Sequence, residues 1–160
     1  MRIITLAAAA ACLCGCTPYS FSGGKTALVS SIAVPLFENQ TTEFGLPETL
    51  TRGIINGFVQ DNQVKIDNAS AAEAVLSGRI VDYKRKAYTF DENDHVSEYI
   101  VEIWVSADLT RKTGSQAVWT VDRLRGFGTY KADSENEHQG QERAIAKITE
   151  DLLNRTIKSW

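Results

Sequence analysis

The chain has 160 residues, 43% of them hydrophobic, and a formal net charge of −3 at pH 7. This length and composition are typical of one folded domain with a single hydrophobic core. The negative net charge argues against general nucleic-acid binding, which is typical of strongly basic domains.

The first residues have the pattern of a secretory signal. A positive start, "MR", precedes an apolar run from residue 3 to residue 13. A helix of this length is far shorter than the ~30 Å hydrocarbon core of a membrane, so the run fits a signal peptide better than a membrane span. It ends in "LCGC", in which Leu13 lies three residues before Cys16 and Gly15 directly before it. This ending resembles the lipobox of bacterial lipoproteins, whose cysteine is acylated and becomes the first residue after cleavage.

We therefore predict that residues 1–15 are a lipoprotein signal peptide and that Cys16 carries the lipid. Cys14 fits worse because bulky Leu13 precedes it, and Cys12 lacks the preferred leucine. A metal site formed by these three cysteines would need further ligands, and their C-x-C-x-C spacing matches none of the common zinc patterns. The resemblance to lipoproteins implies three acyl chains on Cys16, and two or more chains make a stable anchor.

Residues 16–27 are predicted to form a short lipidated tether that contains proline, serine and glycine. Thr17 follows the anchor in place of the aspartate that acts as an inner-membrane retention signal in enteric bacteria, so the outer membrane is favoured. Residues 28–160 are predicted to form one α+β domain. Its strand signals begin at Leu28, and Pro35 indicates an edge position or an irregularity in this first strand.

The loop "ENQTTEFGLPE" leads into the first predicted helix, in which Pro47 suits the first position. Apolar residues then recur at helical spacing at Leu50, Ile54, Ile55, Phe58 and Val59. Gly53 and Gly57 lie together on a flank of this helix. They either permit the close approach of another backbone or are helix-weakening residues in a surface stripe, and we favour the second interpretation.

A short strand is predicted around Val64 to Ile66, and three long strands follow it. They run from Val75 to Phe90, from about Val96 to Arg111, and from Ala117 to Tyr130. The short turns "DEND" and "KTGSQ" join them, which predicts an antiparallel meander. In the middle strand, an apolar residue occupies every second position from Tyr99 to Leu109, so one face of this strand is expected to be buried.

A polar, acidic loop precedes the last helix, and Ser134 and Glu137 have the spacing of a capping box. The helix has a regular apolar stripe, which predicts that it packs on the sheet. The residues of this stripe are Ala144, Ile145, Ile148, Leu152 and Trp160. The predicted order is β-α-β-β-β-β-α. We therefore expect an α+β fold with a mixed or antiparallel sheet of four to five strands and two helices packed on one face.

No catalytic, metal or cofactor site is predicted. The only histidines, His95 and His138, lie in strongly polar segments, and the lipidated residue is the one cysteine left after cleavage. The chain lacks a G-x-S-x-G elbow, "FSGGK" lacks the spacing of a phosphate loop, and "DEND" lacks the distal glutamate of an EF-hand. We therefore predict a non-enzymatic protein that acts by binding.

Two features are candidates for binding. Cations concentrate on or between the long strands, where they would attract phosphates or carboxylates: Arg79, Lys84, Arg85, Lys86, Arg111, Lys112, Arg123 and Arg125. The alternative is solubilising charge on the open face of the sheet and its turns. Ile100 and Trp104 alternate onto the face opposite the core series, which indicates a partner surface, although scattered exposed apolar residues are also normal.

Four longer segments share a pattern with a known family. They are "IAVPLFENQTTEFGLPETLTRGI" from Ile32, "AAEAVLSGRIVDY" from Ala71, "AVWTVDRLRG" from Ala117, and the terminal helix ending in Trp160. Together they resemble LptE, the lipoprotein of the lipopolysaccharide-assembly machine, over nearly the whole mature chain and in the same order. The sequence departs from the family near the anchor, where "TPYSF" follows Cys16 in place of the usual Gly-Tyr-x-Phe.

The resemblance implies an outer-membrane lipoprotein on the periplasmic side. Such a protein plugs the large β-barrel LptD, helps to assemble it, and binds lipopolysaccharide on its way to the outer leaflet. The phosphates of lipid A would then be ligands for the cations of the long strands. An alternative is a lipoprotein that regulates a peptidoglycan synthase or contributes to a secretion assembly, because "IAVPLFENQT" also resembles the first strand and loop of such periplasmic domains.

Overall fold

Three long strands form most of the sheet. The protein is represented by a computed structural model that describes residues 27–114 and 117–157. In these ranges the elements are β1 (Ser31–Ala33), β2 (Glu38–Asn39), α1 (Leu46–Asp61), β3 (Lys65–Ile66), β4 (Ala74–Phe90), β5 (Val96–Arg111), β6 (Ala117–Lys131) and α2 (Glu137–Ile157). The predicted signal peptide, the anchor Cys16, most of the tether and Trp160 lie outside the described residues.

The sheet is mixed, and its long strands form the predicted antiparallel meander. β4 pairs with β5 and β5 with β6 in antiparallel fashion, whereas β1 pairs in parallel with β3 and β4. The strand order is β3-β1-β4-β5-β6, and β2 pairs in parallel with β4. The predicted α+β fold is confirmed. The sheet of the described ranges has six strands rather than four to five, because the two-residue β2 lies where the sequence predicts a loop.

The hydrophobic core lies between the sheet and the two helices. The alternation in β5 brings Val101, Ile103 and Val105 to this side, where none of them has exposed surface. The helices contribute a second set of buried side chains: Leu50, Ile54 and Phe58 from α1, and Ala144, Ile148 and Leu152 from α2. Burying each large apolar side chain stabilises the fold by roughly 1.5–3 kcal/mol. Both helices therefore cover one face of the meander and leave its other face open.

The ends of α1 follow from local backbone chemistry. Gly45, with a φ of 73°, precedes the helix, and Pro47 lies in the first turn, where its missing N–H costs no hydrogen bond. The helix ends at Asn62, whose φ of 56° is left-handed and whose N–H donates to the carbonyl oxygen of Phe58. Among the described residues, neither α1 nor α2 is long and apolar enough to cross a membrane.

The capping box of α2 is formed by Asn136 and Gln139, so the predicted pair, Ser134 and Glu137, is wrong. The N–H of Asn136 donates to Oε1 of Gln139 at 2.9 Å, and the N–H of Gln139 donates to Oδ1 of Asn136 at 3.3 Å. The same spacing occurs twice in this loop, and the pair at the first helical turn forms the cap. Glu137 instead accepts a hydrogen bond from the Tyr83 hydroxyl at 2.5 Å, which ties α2 to β4.

The two helices pack closely because glycines of α1 lie at the contact. A Cβ atom on Gly53 would lie 2.5 Å from Cγ2 of Ile145, and one on Gly57 would lie 2.2 Å from Cγ2 of Thr149. Carbon atoms in contact are normally ~3.5–4.0 Å apart. The interpretation favoured from the sequence, helix-weakening glycines in a surface stripe, is therefore wrong, because both positions permit the close approach of α2.

Gly57→Ala is expected to destabilise the protein by about 1–3 kcal/mol, because the added methyl group must displace Thr149. In an exposed helix interior the same change would stabilise by about 1 kcal/mol. Urea unfolding of the wild type and the variant measures the difference. Asn56→Ala, at the exposed neighbouring position, is the control and should leave stability unchanged or raise it. A Gly57→Ala variant as stable as the wild type would contradict the close approach.

Candidate functional site

The sheet face opposite the helices carries a group of charged and aromatic side chains that we call the open-face cluster. Cross-strand register places Lys84 beside Glu102 and Trp104 beside Arg125. These residues alternate with core residues of the same strands, so they point away from the helices. The members of the cluster are Asp82, Lys84, Lys86, Ile100, Glu102, Trp104, Arg123, Arg125 and Phe127.

Trp104 lies at the centre of the open-face cluster, with three cations within reach of its ring. Nζ of Lys84 lies 5.0 Å from the ring centroid, and the guanidinium carbons of Arg123 and Arg125 lie at 5.5 and 6.0 Å. The negative face of an aromatic ring attracts cations at such distances. Lys84 and Arg123 also share the carboxylate of Asp82, at 3.1 and 3.4 Å. The indole and this carboxylate therefore hold the cations of neighbouring strands together.

Glu102 is a buried carboxylate within the same face, with only 4% of its surface exposed. Nζ of Lys86 lies 2.8 Å from its Oε2, and Nε of Arg125 donates to its Oε1 at 2.9 Å. Burial alone would raise the pKa of Glu102, but hydrogen bonds and charge from Lys86 and Arg125 lower the pKa below its usual value. Glu102 is therefore held in the charged form at neutral pH.

The open-face cluster has an excess of positive charge. Its cations are Lys84, Lys86, Arg123 and Arg125, and its carboxylates are Asp82 and Glu102, so the cluster has a net charge of +2 within an acidic chain. The guanidinium of Arg125 also lies 4.9 Å from the ring centroid of Phe127, which is 45% exposed. Exposed cations beside exposed aromatic surface can bind a phosphate or carboxylate that is attached to an apolar body.

Arg85 lies on the opposite face from the open-face cluster. Its Nε donates to the Tyr130 hydroxyl at 2.5 Å, its guanidinium carbon lies 4.1 Å from the ring centroid of Tyr99, and Nε lies 3.4 Å from Oε2 of Glu137. Tyr99 and Tyr130 stack with their centroids 5.4 Å apart. These contacts connect the end of the meander that carries the β4–β5 turn to the start of α2. Arg85 therefore has a structural role.

Three further predicted cations are not members of the open-face cluster. Nη2 of Arg111 donates to the carbonyl oxygen of Leu28 at 2.6 Å, and Nζ of Lys112 donates to that of Ser70 at 2.7 Å. Both cations lie at the C-terminal end of β5, near the β5–β6 turn. Arg79 is exposed on the open face itself, where β4 pairs with β2, but it contacts no member of the cluster by an ion pair or cation–π contact among the described residues. Strand register and sheet face therefore bring four of the eight predicted cations into the open-face cluster and leave the other four outside it.

Ile100 is a poor candidate for a partner surface, because only 5% of its surface is exposed. It lies on the central strand β5 between its cross-strand neighbours Lys86 and Thr129. The stem of a lysine covers apolar surface while its charge remains in water, so such a position is readily buried. The prediction of an exposed Ile100 is therefore wrong. Trp104, on the same face, is partly exposed and remains accessible.

Sequence reasoning missed three residues of the cluster: Asp82, Glu102 and Phe127. The signal for Glu102 was its position between Ile100 and Trp104, on the same face by alternation. Phe127 follows Arg125 at the same spacing in β6. Their contacts across strands, however, depend on a register that no single strand reveals.

Each histidine lies near a carboxylate of its own turn or helix. Nδ1 of His95 lies 3.5 Å from Asp91 in the β4–β5 turn, and Nδ1 of His138 lies 3.5 Å from Glu142 within α2, and both histidines are exposed. No group of three or more potential metal ligands occurs within residues 27–114 and 117–157. We therefore take the open-face cluster as the candidate binding site among the described residues.

The LptE family, described as "Lipopolysaccharide-assembly", matches residues 29–157. This span includes both helices and every strand of the described structure. The chain belongs to the LptE family. It is thus a lipoprotein of the LptE type, in a non-enzymatic family connected with lipopolysaccharide assembly. None of the curated proteins matches this chain significantly.

Solved structures of other proteins show the same fold. The PelC dodecamer from Paraburkholderia phytofirmans is similar with a TM-score of 0.53 and 17% identity, over 83% of this chain and 91% of that one. A putative lipoprotein from Caulobacter crescentus is similar with a TM-score of 0.51 and 16% identity, over 75% of this chain and 87% of that one. At such low identity the likeness shows the fold alone.

Glu102→Gln is expected to lower the free energy of unfolding at pH 7 by about 1 kcal/mol, because the hydrogen bonds from two cations to a charged carboxylate are lost. The loss is modest because water screens the half-exposed cations. The folded-state pKa of Glu102 is lowered, so its contribution is present above the unfolded pKa and is lost as pH falls through the folded pKa. The difference between variant and wild type should therefore shrink at acidic pH.

Urea unfolding at pH 7 and at about pH 3 measures this difference. Glu92→Gln, in the exposed β4–β5 turn, is the control and should match the wild type at both values. A Glu102→Gln variant that is as stable as the wild type at pH 7 would show that the buried carboxylate contributes nothing to the fold.

Proposed function

We propose that the protein is anchored through acyl chains on Cys16 to the periplasmic side of the outer membrane, where it plugs the LptD β-barrel and helps to assemble it. The family match over residues 29–157 carries this proposal, since it includes every described element. Buried methylene groups of two or more acyl chains give stable membrane attachment. The lipid would thus hold the folded domain next to the barrel that it plugs.

The same proposal includes binding of lipopolysaccharide during its transport to the outer leaflet. The phosphates of lipid A suit the cations of the open-face cluster, because arginine binds phosphate in a bidentate manner and lysine attracts it as a point charge. We confine the phosphate site to Lys84, Lys86, Arg123 and Arg125, which the fold brings together around Trp104 and Glu102. Phe127 and Trp104 offer apolar contact beside the cations.

Phosphate binding by the open-face cluster must compete with internal ion pairs. Asp82 already engages Lys84 and Arg123, and Glu102 engages Lys86 and Arg125. A bound phosphate would therefore share cations with these carboxylates rather than meet free charge. Such sharing lowers affinity, which suits a protein that releases the lipid after binding it.

The double variant Lys84→Ala/Arg123→Ala is expected to weaken lipopolysaccharide binding about ten-fold, because two phosphate contacts of roughly 0.7 kcal/mol each are lost. Binding of purified lipopolysaccharide in detergent, measured at low and at physiological salt, tests this. Arg111→Ala/Lys112→Ala removes the same charge at the other end of the meander and is the control. Equal loss in both double variants would show that only net charge matters and would contradict a defined site.

Affinity purification of the intact lipoprotein, tagged at its C-terminus, tests the proposed partner. We expect a large outer-membrane β-barrel in the eluate and an acylated, cleaved N-terminus at Cys16 in the mass spectrum. Cys16→Ser should abolish acylation and release the protein from the membrane fraction. Recovery of a peptidoglycan synthase without a barrel would overturn the proposal in favour of the alternative, and an unmodified Cys16 thiol would remove the anchor.

A further inference from the structure

The strand β6 forms one edge of the sheet within the described ranges. The N–H of Ala132, which follows it, donates to Ser97 at the start of β5, whereas the N–H of Lys131 donates away from β5, to Oε2 of Glu135. Backbone groups alternate in this way along an antiparallel strand. The N–H and C=O groups of Thr129, Phe127 and Arg125 therefore point outward, away from β5.

One end of this edge is closed by side chains. Glu135 accepts the outward N–H of Lys131 at 2.8 Å, and Nη1 of Arg143 donates to the outward carbonyl oxygen of Thr129 at 2.5 Å. Glu135 and Arg143 also form an ion pair, which together with the Lys131 N–H lowers the pKa of Glu135 to about 2. These two side chains take the place of a neighbouring strand over residues 129–131.

The other end of the edge is limited by a bulge. Val105 pairs with Leu124 but Ala107 pairs with Val121, so residues 122 and 123 of β6 stand opposite one residue of β5. A bulge interrupts the regular row of outward groups. Between the bulge and the closed end, the outward backbone groups of Arg125 and Phe127 have no hydrogen-bond partner among the described residues.

A small cavity lies beside this open stretch. It has a volume of about 200 Å³ and lies between β6 and α2, where its lining residues are Arg125, Phe127, Lys147, Glu150, Asp151 and Asn154. A strand added to β6 would direct alternate side chains to the two faces of the sheet. One of them would enter this cavity on the helix side, while its neighbours would lie over Arg125 and Phe127.

We infer that the edge of β6 at Arg125 and Phe127 is a strand-addition site for an extended, acidic segment of a partner protein. The unpaired backbone groups supply main-chain hydrogen bonds, and the side chains select the sequence. Opposite Arg125, beside the positive open-face cluster, an acidic residue is favoured, and opposite Phe127 an aromatic or β-branched one. The segment therefore has an acidic and an aromatic or β-branched residue two positions apart, in an order set by the direction in which it runs along β6. This inference does not depend on which protein supplies the segment.

A second copy of this chain fits the edge less well than an acidic segment. Two β6 edges would bring Arg123 and Arg125 of both copies into the same short stretch of sheet. Like charges on adjacent strands are destabilising. Self-pairing is therefore expected to be the weaker use of this edge.

The test uses the isotope-labelled full-length protein in detergent and a synthetic peptide that repeats Glu-Thr-Tyr-Thr twice. We expect amide chemical shifts to change at Arg125 and Phe127 on titration. A control peptide with lysine in place of glutamate should bind about ten-fold more weakly, because the favourable charge pair with Arg125 becomes an unfavourable one. Absence of binding by the acidic peptide, or equal binding of the two peptides, would overturn the inference.

Phe127→Pro and Phe127→Ala separate the backbone from the ring. Both variants remove the phenyl group, but only proline removes the outward N–H, and it breaks no bond to β5. Binding of the acidic peptide should be about ten-fold weaker for Phe127→Pro than for Phe127→Ala. Equal affinities would show that the edge backbone is not used. A dimer that forms without peptide and is lost in Phe127→Pro would make a second copy the occupant and overturn the inference.

Arg143→Ala provides a second test that does not require Phe127→Pro to fold. This change frees the outward carbonyl oxygen of Thr129, so an added strand can pair further along the edge. The set of amides shifted by the acidic peptide should then extend to Thr129. An unchanged set would overturn the inference.

Discussion

Direct contact between the backbone of α2 and that of β6 is the constraint on which the rest of the structure depends. A Cβ atom on Gly126 would lie 2.2 Å from the carbonyl oxygen of Ala144, and one on Gly128 would lie 2.3 Å from that of Gly140. Only glycine allows a helix to lie so close to a strand. Because α2 lies so close to the sheet, α1 can pack beside it, and both helices fit on one face of the meander.

The position of the helices determines the chemistry of the opposite face. Since that face is not needed for the core, it can carry Lys84, Arg123 and Arg125 around a central Trp104. A buried carboxylate, Glu102, compensates part of this charge and orients two of the cations. The cluster therefore combines a structural role, in which ion pairs connect three strands, with the proposed role of holding phosphates. The proposed role would rely on the exposed cations, because an exposed cation exchanges one anionic partner for another at little cost in water.

β6 has three distinct functions along one strand. Its glycines face α2, its arginines and Phe127 face the open side, and its outward backbone lies at the sheet edge. Period-two alternation explains the first two, because successive residues of a strand point to opposite faces. The third follows from the sheet order, in which β6 is the last strand within the described ranges. An edge strand is normally protected, and here the ion pair of Glu135 and Arg143 protects only one end.

The positions of the three long strands and the buried face of the meander were determined by the sequence alone. β5 has the predicted bounds, Val96–Arg111, because regular alternation over many residues specifies both the strand and its inner face. Tertiary structure decided the rest: the close approach at Gly53 and Gly57, the burial of Ile100, and the separation of eight cations into distinct sites. Each of these depends on which residues of other elements become neighbours. Register, bulges and helix position set those distances, and a pattern within one segment carries no information about them.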